Sequence, residues 1–163
     1  TSDSSDNLIV AGYFQKQVDF GGTTLTSQGG YDAFMVKYDY TGNLLWATSV
    51  VGIGDDFAKF STVQSDDSIL VAGQVFSTSS SSTEGGQDVF VSKLTSAGSF
   101  EWSLTFGGSN DETVTGLDST IDDGFYVSGE FRDQFTIQEH TLTSVGSVDV
   151  FFLKFDFRKF IFL

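Results

Sequence analysis

Residues 29–46 read GGYDAFMVKYDYTGNLLW. Nothing in it is reactive, yet it returns as GGQDVFVSKLTSAGSFEW at 85–102, and a third copy opens at 146 with GSVDVFFLKFD. The phrase D-[AV]-F-x-x-K runs from Asp32 to Lys37, from Asp88 to Lys93 and from Asp149 to Lys154, in steps of 56 and 61 residues. Its phenylalanines are Phe34, Phe90 and Phe151. A second phrase, LIVAGYF at 8–14, ILVAGQVF at 69–76 and FYVSGEF at 125–131, carries Gly12, Gly73 and Gly129 in steps of 61 and 56. Trp46 and Trp102 stand 56 apart. Several phrases that keep one period define an internal repeat just above the length of a propeller blade.

Each unit holds four strand-like runs. Run a is the D-x-F-x-x-K phrase, followed by a turn with Gly42 or Gly98. Run b is NLLWATSVV or SFEWSLTF and ends near glycine, in VGIGDD or GGSNDE. Run c is FAKFSTVQ or TVTGLDST, and a tight turn, SDDS or IDDG, leads to run d, the V-[AS]-G phrase. Asp, Gly, Ser and Asn at the turns are hairpin chemistry. No stretch keeps a 3.6-residue apolar period long enough for a helix. A lone four-stranded sheet cannot bury both faces, and stacking successive sheets solves this.

The expected architecture is therefore all-β, with tandem four-stranded antiparallel blades in a propeller-like arrangement. Two blades are full (32–76 and 88–131) and two are partial (about 6–31 and 149–157), which makes ten strands in one repeat region spanning 1–163. Gly12, Gly73 and Gly129, inside strands, mark a bulge or close backbone approach. Phe34, Phe90 and Phe151 read as core between blades. The repeated Lys37, Lys93 and Lys154 read as fold residues, with an apolar-covering stem and an ammonium that meets an acid.

The pattern GG-x-D-x-F-x-x-K, a turn Gly, Trp, GG, an Asp-rich turn and then Y-V-x-G-x-F resembles the bacterial-type β-propeller repeats called SBBP repeats. The resemblance covers Asp6 to Asp156. It implies a propeller-type fold and a large secreted or cell-surface protein, and it carries no catalytic set to transfer. The third copy departs from the pattern after Asp156, where DFRKFIFL replaces DYTGNLLW. The odd phase and this break point to a fragment, or to a subunit that completes its sheets with neighbours. The chain opens on Thr1 rather than Met and shows no signal peptide.

Composition narrows the partners. A formal net charge of −14 disfavours nucleic acid and anionic membranes, both of which reward Lys and Arg. The absence of Cys removes disulfides and thiolate chemistry. No apolar run reaches membrane-spanning length, and none of Asn7, Asn43 and Asn110 begins a glycosylation sequon. The Ser/Thr tract 77–83 reads as a loop open to O-glycosylation.

Candidate chemistry is thin. His140 is the one histidine, and Thr23 holds its place in the first link. The acidic pairs Asp55-Asp56, Asp66-Asp67, Asp111-Glu112 and Asp122-Asp123 recur in predicted turns, where solubility and turn formation account for them. Calcium is the sharper alternative, on Asp55, Asp56, Asp111 and Glu112, although no D-x-[DN]-x-[DN]-G loop is present. The expectation is no catalytic, cofactor or metal residue.

Three functions remain. The first is a non-enzymatic structural or interaction module outside the cell, such as an adhesin, surface-layer or filament building block, with protein partners through self-association or neighbouring blades. The second is a glycan- or peptide-binding propeller, for which Tyr13 and Tyr31 are candidates. The third is a propeller hydrolase with two carboxylates across a channel.

Overall fold

In the computed structural model, the described residues are all but 51, 53, 77–85, 139, 157–158 and 163, and for 159–162 the backbone alone is described. All ten expected runs form strands. In chain order they are β1 (Leu8–Asp19, run d), β2 (Thr24–Tyr38, a), β3 (Leu44–Ser49, b), β4 (Asp56–Val63, c), β5 (Ile69–Phe76, d), β6 (Gln87–Leu94, a), β7 (Phe100–Gly108, b), β8 (Thr113–Ser119, c) and β9 (Phe125–Phe131, d). The third run a is β12 (Asp149–Asp156). Three strands are additional. β10 (Gln134–Ile137) and β11 (His140–Thr143) form a hairpin in the third link, and β13 (Lys159–Phe162) lies in the tail. β13 pairs with β12 from Leu153↔Phe162 to Asp156↔Lys159 although the turn glycine is missing.

The hydrogen-bonded sheets are β1-β2-β3, β4-β5-β6-β7 extended by β10 and β11, and β8-β9-β12-β13. Every paired neighbour is antiparallel. The sheet unit is thus c-d-a-b, whereas 32–76 and 88–131 run a to d across two sheets. The chain changes sheet between b and c, and the turn between c and d is the tight one. In that turn Gln64 N donates to Ser68 O and Thr120 N donates to Gly124 O. Asp67 and Asp123 adopt the left-handed region, with φ of 61° and 63°.

The same turn precedes β1. Asp3 N donates to Asn7 O, Asp6 has a φ of 60°, and Ser2 bridges Leu8. That bridge occupies the rung held by Val63↔Ile69 in the central sheet and Ser119↔Phe125 in the third. Ser2 therefore stands at the last rung of a run c and Thr1 at the next, exchanging two hydrogen bonds with Ile9; beyond Ile9, β1 is paired on the β2 side only among the described residues.

Period-2 alternation stacks the sheets. On β5, Ile69, Val71 and Val75 pack with Ile9, Ala33 and Met35 of the first sheet, together with Phe90 and Leu94 of β6. Leu70 and Ala72, with Val89 and Val91, pack toward Val114, Val127 and Phe151 of the third sheet. β5 is consequently buried on both faces. Each Leu, Val or Phe so enclosed contributes about 1.5–3 kcal/mol. Phe90 and Phe151 are core, as expected; Phe34 is half-buried on the outer face of the first sheet, against Phe14 and Phe20.

Gly73 and Gly129 sit beside bulges, whereas Gly12 pairs regularly with Phe34, whose ring a Cβ there would meet at 2.8 Å. The β4–β5 register slips between Ala58 and Phe60, and the β8–β9 register slips between Val114 and Gly116. Gly73 pairs with Ala58, and a Cβ there would lie 1.9 Å from the Phe57 carbonyl oxygen. Gly129 pairs with Val114, and its Cβ would lie 2.2 Å from Thr113 O. The bulged strand presses its backbone onto the glycine, and Phe90 or Phe151 fills the other side.

Candidate functional site

Each repeated lysine meets an acid from the turn between c and d of its own sheet. Lys37 Nζ lies 2.6 Å from Asp3 Oδ2, with both side chains buried, and it also donates to Ser96 O at 3.1 Å. Burial pushes the Asp3 carboxyl up, but the Lys37 ammonium and Asn7 outweigh it and hold the group far below the usual range. Lys93 lies 3.8 Å from Asp66 and 3.6 Å from Glu101. Lys154 lies 3.7 Å from Asp122 and over the Tyr126 ring. Trp46 reaches to the central sheet, where its Nε1 donates to Ser96 O and its ring underlies Gly98. Trp102 stacks on Phe125 of the third sheet at 6.0 Å.

The acidic pairs divide into two kinds. Asp66 and Asp122 are exposed turn residues, as expected. Asp56 and Glu112 differ, because both are fully buried where run c begins, at the junction between sheets. Both oxygens of Asp56 and Oε1 of Glu112 lack a hydrogen-bond partner among the described residues. Desolvation, then the charges of Asp32 and Asp55, push the Asp56 carboxyl up to about 7. Desolvation, against the Gly108 N–H and with Asp88 and Asp111 nearby, pushes Glu112 up to about 7. Glu112 Oε2 accepts from Gly108 N at 2.7 Å.

Asp55 and Asp111 do different work. Asp55 Oδ1 accepts from Tyr31 N at 2.8 Å, and Asp111 Oδ1 accepts from Gln87 N at 2.9 Å. They fasten the start of run a to the next sheet. Asp32 and Asp149 accept from Gln28 N and Val145 N, which closes the links. Among the described residues, no group of three or more His, Cys, Asp and Glu is placed to hold a metal ion. The four calcium candidates are therefore two backbone anchors and two buried carboxyls. Turn-forming composition hid the buried pair. The signal that marks it is the recurrence of an acid 24 residues after Asp32 and after Asp88, at Asp56 and Glu112.

One junction position changes chemistry between copies. In the first, Tyr13, Tyr31 and Phe57 form an aromatic triad with centroid distances of 5.8, 5.0 and 5.4 Å. Tyr13 is 53% exposed and Tyr31 37%. In the second, Gln74, Gln87 and Thr113 replace them, with Gln74 Nε2 donating to Gln87 Oε1 at 2.9 Å and to Glu112 O at 2.8 Å. His140, itself exposed, opens β11 and pairs with Ile137. The tract 77–83 lies outside the described residues. Among the described residues, no helix is long and apolar enough to cross a membrane.

No family model matches the chain. It is 23% identical over 171 aligned residues to an uncharacterised WD repeat-containing protein of Acanthamoeba polyphaga mimivirus, an alignment covering 82% of this chain and 12% of that protein. It is 32% identical over 119 residues to the regulatory protein FlaEY of Caulobacter vibrioides, covering 64% of this chain and 12% of that protein. The chain thus spans 12% of the length of each. A WD repeat is a four-stranded propeller blade, and the c-d-a-b sheets have that size. The described sheets do not close into a ring.

Proposed function

We propose that the chain is a non-enzymatic interaction and building module of an SBBP-type repeat protein displayed outside the cell. The observation that supports this reading is how the repeated polar residues are used. Lys37, Lys93 and Lys154 neutralise acids of their own sheets, and Asp55 and Asp111 tie one sheet to the next. What recurs in the sequence serves contacts within each sheet and between neighbouring sheets. The WD-repeat relative agrees with a module of protein interaction, the role such stacked sheets suit.

The test is antibody labelling of intact cells that make the native protein, together with turnover assays on the purified chain. Surface label without permeabilisation and no hydrolysis of glycoside or peptide substrates are expected. Label that needs permeabilisation contradicts the location, and hydrolysis by the chain contradicts the non-enzymatic role.

A second reading is glycan binding at Tyr13, Tyr31 and Phe57. Exposed aromatic rings beside Asp55 offer a stacking face with a hydrogen-bond acceptor, and the other copies lack it. A glycan array that gives binding by the native chain and none by Tyr13→Ala supports it; an array without hits removes it.

A further inference from the structure

The two links of equal length pair in the same register. In the first, Gln17 pairs with Thr26, Val18 with Leu25 and Asp19 with Thr24. In the third, Gln134 pairs with Thr143, Phe135 with Leu142 and Thr136 with Thr141, each 117 residues later. Lys16 and Asp133 hold the same link position, and both are left-handed, with φ of 64° and 54°. Gly21 and Gln138 also correspond and are both left-handed.

The outer edges differ. In the third link, Phe135 and Thr136 pair with Gly108 and Gly107 of β7, so the hairpin leaves its own sheet and adds to the preceding one. Phe135 is completely buried there, 5.7 Å from Phe106 and 4.7 Å from Phe151. A Cβ on Gly108 would lie 1.8 Å from Gln134 O, so this approach requires glycine. In the first link, the outer edge of Val18 and Asp19 meets no strand among the described residues.

The sheet face repeats the contrast. Leu8, Val10 and Phe14 occupy the places of Phe125, Val127 and Phe131, which the central sheet covers. Leu8 is 50% exposed and Val10 37%. The row is sealed throughout in the third sheet; in the first, Leu8 and Val10 are open while Phe14 is buried beside Phe34.

We propose that hairpin 15–27 and the outer face of the first sheet dock a further repeat of the same kind in the same polypeptide. That repeat presents a b strand ending in Gly-Gly to Val18 and Asp19, and a c strand runs along Val10–Gln15 into Ser2. The proposal rests on the blade-module reading. The occupant is a covalently preceding repeat rather than a second copy, because Ser2 already holds the last rung of that c strand.

The test is hydrogen exchange on a tandem chain in which residues 56–117 are repeated ahead of Thr1, which keeps the 117-residue spacing. Amides of Ala11, Tyr13 and Asp19, which face away from β2, are expected to exchange at least about tenfold more slowly than in the single chain. Gly108→Val in the added copy should abolish the effect at Asp19 and keep it at Ala11. Unchanged exchange overturns the proposal, whether or not the added segment is itself protected, since docking is what orders it. Protection of these amides in the single chain that grows with concentration also overturns it, by assigning the surface to a second copy. Either result leaves the cell-surface and turnover tests of the module reading standing.

Discussion

Lys37 and Asp3 form the most enclosed ion pair among the described residues, and the repeat makes their contribution measurable against an internal control. Removing one partner of a buried pair strands the other charge, which costs about 3–5 kcal/mol, whereas exposed pairs are worth about 0–1 kcal/mol. Lys37→Met is therefore expected to lower Tm by roughly 10 °C. Lys93→Met, whose acids Asp66 and Glu101 are largely solvated, should lower it by under about 4 °C. Differential scanning calorimetry compares the two, and equal losses would contradict the burial argument.

Asp56 and Glu112 give the chain a pH dependence of opposite sign to the usual carboxylate. Their folded values near 7 lie above the ordinary 3.8 and 4.5, so between about pH 4 and 7 the folded chain holds protons that the unfolded chain has released. Stability then falls as pH rises through that window and levels off above it. Tm should be higher at pH 5 than at pH 8, and Asp56→Asn with Glu112→Gln should flatten the difference. Asp3 works the other way, but its loss begins only below its unfolded value of 3.8, outside this range. A Tm that rises from pH 5 to pH 8 would contradict the assignment. These acids were illegible in the sequence because Asp beside Gly reads as a turn, and nothing local distinguishes a solvated carboxylate from one under a neighbouring sheet.

Among the elements, the strands were the legible part. The recurrence of Gly73 and Gly129 with Phe90 and Phe151 located the runs, and the bulge opposite each glycine supplies its reason. Gly73→Ala drives a methyl into the Phe57 backbone and is expected to cost about 2–4 kcal/mol in chemical denaturation. Gly12→Ala meets only the movable Phe34 ring, because no bulged strand faces it, and should cost about half as much or less. The grouping of runs into sheets was not legible. The turn from b to c and the turn from c to d are both short and rich in Gly and Asp, and only the latter closes a hairpin. Nor was β10–β11, whose four-residue strands exist because Gly107 and Gly108 leave room for them.

At the scale of the molecule, three sheets stack so that the central one is covered on both faces, and the same positions make both junctions. The periodic phrases therefore encode contacts between sheets as much as the sheets themselves, and the acidic surface follows from carboxylates concentrated in turns. The central claim is that the folding unit is c-d-a-b, and cross-strand NOEs in the isotope-labelled chain test it most directly. One continuous ladder through Ala58–Gly73, Gly73–Phe90 and Phe90–Thr105 is expected, together with a Phe135–Gly108 contact. A ladder joining β3 to β4, which would close the unit from a to d, would contradict it.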